Sequence, residues 1–121
     1  MGETRRVVLA EDDADIRTLV TRTLEGEFDV EGFGNGRTCW EHLESAGPPD
    51  VLLLDVMLPG MDGTELYERV RDDDRLSAVS VLFLTSREES DLASAVGEEV
   101  DYIAKPFSPS ALRERLRGLE D

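Results

Sequence analysis

The sequence predicts an α/β domain in which five parallel strands form one sheet with helices on both of its faces. Short apolar runs alternate along the chain with segments whose apolar residues recur at helical spacing, which is the pattern of repeated strand–helix units. The run at 51–54 is apolar at every position, as expected of a parallel strand buried on both faces. With 121 residues the chain has the length of one domain, and we expect that domain to span 1–121.

Five apolar runs bounded by turn residues define the predicted strands. In chain order they span 5–10, 28–33, 51–54, 79–84 and 101–104. Glycine, proline and asparagine cluster around these runs and mark the turns. Because helical segments connect successive strands, right-handed crossovers between parallel neighbours are expected.

Helical signals occur after each predicted strand. The first predicted helix begins after Asp13, a residue type typical of N-caps, and stops before Gly26. The second, third and fourth are predicted at 38–46, after a possible capping box at Asp62, and at 88–96. The fifth begins at Ser108-Pro109, an N-cap followed by proline at the first helical position.

The chain is strongly acidic. It carries 13 Lys and Arg against 28 Asp and Glu, for a formal net charge of −15. Such a charge repels phosphate backbones and anionic membranes, so we expect this domain to bind neither nucleic acid nor membranes. Lys105 is the only lysine. An acid-rich, lysine-poor composition is typical of proteins from cells that keep molar salt in their cytoplasm, and we expect such a source for this protein. A single cysteine, Cys39, and the absence of a long apolar run fit a soluble cytoplasmic protein.

Polar side chains follow four of the predicted strands at the point where each strand ends. They are Glu11 and Asp12 after the first strand, Asp55 after the third, Thr85 after the fourth and Lys105 after the fifth. Because the carboxyl ends of parallel strands meet at one edge of a sheet, these side chains are expected to share a site. Three crowded carboxylates favour a hard divalent cation such as Mg²⁺, and a lysine and a hydroxyl can bind an incoming anion. These groups suit phosphoryl transfer, in which a carboxylate can itself be the nucleophile.

This pattern, in this order, resembles the receiver domain of two-component response regulators, the family of the chemotaxis regulators. The resemblance covers essentially the whole chain and includes the motif Met-Leu-Pro-Gly-Met-Asp-Gly at 57–63. It implies a flavodoxin-like doubly wound sheet with strand order 2-1-3-4-5 and five helices. It also implies a signalling switch that is not an enzyme, except that it can catalyse its own phosphorylation and dephosphorylation.

The resemblance implies a role for each residue of the acidic site. Asp55 is similar to the phosphoacceptor that takes a phosphoryl group from a sensor histidine kinase or a phosphotransfer protein. Glu11 and Asp12 resemble the acidic pair that holds Mg²⁺, or Mn²⁺, together with Asp55 and the backbone carbonyl of Met57. Lys105 resembles the lysine that neutralises the phosphoryl group, and a cis peptide bond to the proline after it is expected.

Two further residues resemble the switch positions of the family. Thr85 is similar to the hydroxyl residue that is drawn toward the phosphoryl group, and Tyr102 is similar to the aromatic residue that rotates inward in response. The output surface is then expected on the face of the predicted fourth helix, fifth strand and fifth helix. An output domain, a separate target or a second copy of the chain would bind there.

Other functions were weighed against this one. A degenerate receiver that acts only as an interaction module would lack a required group, whereas every required group is present here. A hydrolase of the haloacid-dehalogenase type needs a second aspartate two positions after Asp55, where this chain has Met57. A flavodoxin-type flavin binder needs a phosphate loop where residues 11–13 are all acidic. His42 lies amid polar residues, and we expect it at the surface and not as a phosphoryl donor.

Overall fold

Five parallel strands form the centre of the computed structural model, which describes residues 5–85 and 101–119. The strands are β1 (Arg5–Ala10), β2 (Phe28–Phe33), β3 (Val51–Asp55), β4 (Ser80–Thr85) and β5 (Asp101–Ala104). The described helices are α1 (Ala14–Leu24), α2 (Gly36–Ala46), α3 (Gly63–Asp72) and α4 (Pro109–Leu119). The order β2-β1-β3-β4-β5, with every neighbouring pair parallel, confirms the predicted sheet.

Both faces of the central strand β3 are covered, which explains its unbroken apolar sequence. Leu52 and Leu54 belong to one core cluster together with buried residues of α2 and α3. Val51 and Leu53 belong to a second cluster together with buried residues of α1 and α4. Truncating a buried leucine to alanine lowers the free energy of unfolding by about 2–5 kcal/mol, so the packing of β3 contributes strongly to stability. Asp55, the last residue of this strand, is therefore held in a well-packed part of the protein.

The first and last described helices begin at the predicted capping residues. The Asp13 carboxylate accepts hydrogen bonds from the amides of Asp15 and Ile16, at 2.8 and 3.2 Å. The Ser108 hydroxyl accepts one from the amide of Ala111 at 3.1 Å. Each contact satisfies an amide at a helix N-terminus that has no partner within the helix.

The second helix begins earlier than predicted, and the third begins at the predicted Asp62 but without the predicted capping box. The side chain of Asn35 caps α2 by accepting from the amide of Thr38 at 2.9 Å, so the helix begins two residues earlier than expected. At α3 the Asp62 carboxylate accepts a hydrogen bond from the amide of Thr64. Glu65 pairs with Arg69 at 3.1 Å and does not close a capping box.

The remaining boundaries shift by one residue or lie outside the described part of the chain. Strand β3 includes Asp55, and β4 spans Ser80–Thr85 where 79–84 was predicted. The predicted fourth helix, 88–96, lies outside the described residues, so the fifth predicted helix is α4. Within residues 5–85 and 101–119, no helix has the length and apolar character of a membrane span.

Candidate functional site

The strand register brings the predicted polar residues to one edge of the sheet. Ala10 pairs with Leu54, so the residues that follow them, Glu11 and Asp55, lie side by side at the ends of β1 and β3. On the other side Thr85 pairs with the last residue of β5. The chain then continues into Lys105, whose amide donates a hydrogen bond to the Thr85 carbonyl at 2.9 Å.

Three carboxyl groups meet at this edge. Glu11, Asp12 and Asp55 each offer an oxygen atom, and these atoms all lie within 4.8 Å of one another. Glu11 and Asp55 are buried, whereas Asp12 is exposed to solvent. Burial, reinforced by the hydrogen bond with Asp55, raises the pKa of Glu11 from 4.5 to about 7. The site therefore holds more negative charge than its buried surroundings favour.

Lys105 supplies the positive charge within this cluster. Its ammonium group donates a hydrogen bond to Oδ2 of Asp55 at 3.1 Å and another to Oε1 of Glu11. Burial by itself would lower the pKa of Lys105, but these two contacts outweigh it and the pKa is raised. The lysine is therefore charged at neutral pH, and one ammonium group is shared between two buried carboxylates.

The chemistry of the donor set fits a hard divalent cation. Among the described residues, the possible metal ligands that converge here are carboxylate oxygens, and oxygen atoms are the ligands that Mg²⁺ and Mn²⁺ prefer. One lysine offsets one of the three negative charges, so a dication would find uncompensated charge at the site. Access is open, because Asp12, Met57 and Asp62 line a surface cleft of about 310 Å³ together with Leu58 and Pro59.

The loop after Asp55, residues 56–62, is closed on itself by backbone contacts; we call it the β3–α3 loop. The amide of Met57 donates to Oδ1 of Asp55 at 3.2 Å, so the two oxygens of that carboxylate have different partners. At the far end of the loop, the amide of Gly63 donates to the carbonyl of Val56 at 3.0 Å. A Cβ on Gly63 would lie 2.0 Å from the Asp55 carbonyl oxygen, so only glycine fits at this position.

The two predicted switch residues lie on the neighbouring strands. Thr85 is buried at the end of β4, next to β3, at the edge of the sheet that carries the acidic cluster. Tyr102 lies within β5, opposite Phe83 of β4, and is partly buried against the cluster that includes the residues of α2 and α3. The peptide bond between Lys105 and Pro106 is cis, as expected.

Two residues that the sequence did not indicate contact the backbone of the segments that form the site. The guanidinium group of Arg17 donates to the backbone carbonyl of Glu11 at 2.7 Å. The amide of Gly36 donates to the carbonyl of Pro59, in the middle of the β3–α3 loop, at 3.0 Å. Both contacts are with backbone atoms, and no sequence motif predicts such contacts. The one sequence feature that could have indicated Arg17 is its position four residues after Asp13, which places the two residues on the same side of a helix.

Comparison with known proteins gives a consistent result at the level of sequence. The family described as "Response regulator receiver domain" matches residues 7–117. The transcriptional regulatory protein TrcR of Mycobacterium tuberculosis is 39% identical over 98% of this chain and 46% of its own length. The DNA-binding response regulator MtrA of Mycobacterium leprae is 35% identical over 94% of this chain and 50% of its own. The chain spans about half the length of the curated relatives it matches.

Solved structures have the same fold. The chemotaxis response regulator CheY4 of Vibrio cholerae superposes with a TM-score of 0.87 at 28% identity, over 97% of this chain and 99% of that one. The BeF3-activated DrrB receiver domain superposes with a TM-score of 0.81 at 25% identity, over 97% of each chain.

Proposed function

Because this chain belongs to the response regulator receiver domain family, we propose that it is a phosphorylation-controlled switch whose phosphoacceptor is Asp55. The proposal rests on the position and the contacts of the Asp55 carboxylate. It lies at the end of a rigid buried strand, within a cluster of three carboxyl groups, and its two oxygens contact an amide and the ammonium group of Lys105. A carboxylate held in this way is oriented for attack, with a cation beside it to receive the charge of an incoming phosphoryl group.

The chemistry is the transfer of one phosphoryl group from nitrogen to oxygen. A carboxylate oxygen of Asp55 attacks the phosphorus of a phosphohistidine, and the P–O bond forms as the P–N bond breaks. The imidazole keeps the electron pair of the broken bond and leaves as a neutral ring, because its other nitrogen already carries a proton. Lys105 then pairs with the transferred group, as a lysine does in other phosphoryl-transfer sites.

Glu11, Asp12, Asp55 and the backbone carbonyl of Met57 would hold Mg²⁺, or Mn²⁺. When bound, such a cation neutralises the charge that accumulates on the transferring group. Positioning by the carboxylates and the lysine means that the domain promotes its own phosphorylation and hydrolysis without acting on a separate substrate.

An apolar cleft next to the site supports a protein as the phosphoryl donor. Ile16 and Leu19 of α1 line it on one side, and Lys105, Pro106 and Phe107 on the other, around a volume of about 250 Å³. Leu19 is 42% exposed, so the cleft presents apolar surface to solvent. Because Lys105 belongs both to this cleft and to the acidic site, a sensor kinase or phosphotransfer protein bound there would bring its histidine toward Asp55.

The signal would leave through Thr85 and Tyr102. A phosphoryl group on Asp55 offers a new acceptor to the Thr85 hydroxyl, and movement of Thr85 gives Tyr102 room to rotate. The output surface, predicted on the face of β5, α4 and the predicted helix at 88–96, which lies outside the described residues, would then bind an output domain, a target or a second copy. Two relatives are named as a transcriptional regulator and a DNA-binding regulator, but a charge of −15 argues that DNA contacts belong to another part of such a protein.

The single-domain organisation of 1–121 is part of the proposal. It is supported by the second core cluster, which joins residues of β1 near one end of the chain to residues of α4 near the other. A cytoplasmic location stays a prediction.

The test is phosphoryl uptake from acetyl phosphate and Mg²⁺, followed by intact-protein mass. We expect one phosphoryl group on the wild-type chain, none when EDTA replaces Mg²⁺, and none on Asp55→Asn. Asp62→Asn is the matched control, because it makes the same chemical change at the end of the loop that follows Asp55, and asparagine caps a helix as well as aspartate. Labelling that persists in Asp55→Asn would place the nucleophile elsewhere. An unlabelled wild type would favour an interaction module, and rapid multiple turnover of acetyl phosphate would favour a hydrolase.

A further inference from the structure

We infer that Gly36, which carries no reactive group, is a positioning residue for the acidic site. It acts through its backbone contact with the β3–α3 loop, whose first residues flank Asp55. This inference rests on the function proposed above, since it concerns the same site.

The contact leaves no room for a side chain at position 36. Gly36 is buried, and its amide donates to the carbonyl of Pro59 at 3.0 Å. A Cβ at this position would lie 1.9 Å from the carbonyl oxygen of Met61 and 2.8 Å from its carbonyl carbon. Both are backbone atoms, so the loop itself would have to move. Gly36 is not among the glycines with positive φ, so the requirement is for space and not for an unusual backbone conformation.

The loop passes any such movement to the phosphoacceptor. Its far end is fixed by the hydrogen bond from Gly63 to Val56, and its middle is fixed by Gly36. Between Asp55 and the contact at Pro59 lies Met57, whose amide holds Oδ1 of Asp55 and whose carbonyl is a proposed metal ligand. A displacement of the middle of the loop is therefore expected to change the position of Met57 and the orientation of the carboxylate.

The residues beside Gly36 contact both loops that bear the acidic groups. On one side the carbonyl of Phe33 accepts a hydrogen bond from the amide of Glu11 at 3.0 Å. On the other, the side-chain oxygen of Asn35 lies 3.2 Å from where a Cβ of Gly60 would be, and Gly60 has a φ of +79°. The segment 33–36 carries none of the proposed reactive groups, yet it spans the two parts of the site and sets their separation.

The test is Mg²⁺ binding by Gly36→Ala, followed through the amide chemical shifts of the intact chain with Mg²⁺ alone as the titrant. Residues that orient metal ligands contribute about 10–100-fold to affinity, so we expect at least about a tenfold loss. The amide shifts of residues 55–61 should differ from wild type before Mg²⁺ is added. Uptake from acetyl phosphate should be slower even when Mg²⁺ is saturating, because the carboxylate is misoriented as well.

Two control variants separate positioning from a general loss of stability. Gly32→Ala makes the same change in neighbouring strand β2, where a Cβ would meet Arg17 at an ordinary 3.5 Å; its Mg²⁺ affinity should stay within about twofold of wild type. Val20→Ala removes buried carbon atoms from the opposite face of the sheet and lowers stability without touching the loop. Its Mg²⁺ affinity should also be unchanged while the protein is folded.

Wild-type affinity in folded Gly36→Ala would overturn the inference, and so would an equal loss in Val20→Ala. If Gly36→Ala does not fold, Asn35→Ala takes its place. A smaller loss of Mg²⁺ affinity with shifted amide signals of Gly60 and Met61 supports the inference, and no change overturns it. The two proposals fail separately. If the wild type takes up no phosphoryl group while Gly36→Ala still loses Mg²⁺ affinity, the phosphoacceptor function is wrong and the positioning role stands.

Discussion

Replacing Glu11 by glutamine should make the metal-free protein progressively more stable, relative to wild type, as the pH rises. Glu11 is fully buried beside Asp55, and its pKa is about 7 in the folded protein against 4.5 for an unperturbed glutamate. Between these two values the folded chain holds a proton that the unfolded chain has released. Stability therefore falls as the pH rises through this window, and it is highest, as far as this group is concerned, below 4.5.

The size of the effect follows from the gap between the two pKa values. At about 1.4 kcal/mol for each pH unit, a gap from 4.5 to about 7 corresponds to about 3 kcal/mol, most of it lost between pH 5 and 7.5. Glutamine cannot ionise, so Glu11→Gln does not carry this loss. The substitution also removes the ion pair with Lys105, so the quantity to measure is how the difference in unfolding free energy changes with pH.

The assay is urea unfolding in EDTA and molar KCl at several pH values from 5 to 7.5, followed by fluorescence of Trp40, the only tryptophan. The difference in unfolding free energy between Glu11→Gln and wild type should rise by about 2–3 kcal/mol over this range. Asp12→Asn makes the matched change from acid to amide at an exposed position of the same cluster, and because it retains Glu11 its stability should fall with rising pH as that of the wild type does. A flat difference for Glu11→Gln would refute the reasoning that burial and Asp55 raise the pKa of Glu11.

Three further outcomes test other parts of the molecule. Leu19→Asp puts a charge in the apolar cleft, so it should slow phosphoryl transfer from a phosphohistidine-bearing kinase at least about tenfold. Uptake from acetyl phosphate should be unchanged. Equal effects on both donors would show that the cleft is not a docking site. Thr85→Ala should still accept a phosphoryl group, yet show less than half of the wild-type amide shifts in residues 88–104 when beryllofluoride mimics that group; a full shift pattern would remove Thr85 from the switch. The unfolding free energy of the wild type should rise by several kcal/mol between low and molar KCl, because salt screens a net charge of −15, and a constant value would contradict the halophile hypothesis.

The apolar runs were sufficient to predict the sheet because both faces of its central strands are buried. In β3 no polar residue interrupts the run before Asp55, and the two core clusters account for alternate residues of the strand. The same clarity made the strand ends, and hence the acidic cluster, predictable. Helix starts were harder to predict where a tertiary contact decides them. Gly36 was taken for part of a turn, but it begins α2, because the side chain of Asn35 caps the helix and the amide of Gly36 donates to the carbonyl of Pro59, far from it in sequence.

His42 shows the limit of reasoning from local polarity. Its polar neighbours predicted exposure at the surface, but this prediction is wrong, because its side chain is only 18% exposed. The position is next to the buried Cys39 and Leu43 on the inward side of α2, so the ring lies against Phe33 with the centroids 4.9 Å apart. Its Nε2 lies 3.6 Å from the Glu31 carboxylate, and no hydrogen-bond partner for it occurs within the described residues. Helical spacing, rather than the polarity of adjacent residues, was the informative signal.

The charges at the site explain why a phosphoryl group can act as a switch there. Three carboxylates and one ammonium group leave two uncompensated negative charges when all are ionised, and the raised pKa of Glu11 shows that the fold tolerates this poorly. A proton on Glu11 or a divalent cation relieves the excess, so the two compete for the same oxygens. A phosphoryl group of charge about −2 on Asp55 replaces a carboxylate of −1 and restores an excess of acceptor oxygens. Among the described residues at this edge, Lys105 and Thr85 are the proposed partners of that group, and the Lys105 amide donates a hydrogen bond to the Thr85 carbonyl. Because the ammonium group of Lys105 already contacts Asp55, the function proposed above assigns the larger movement to Thr85, at the end of β4.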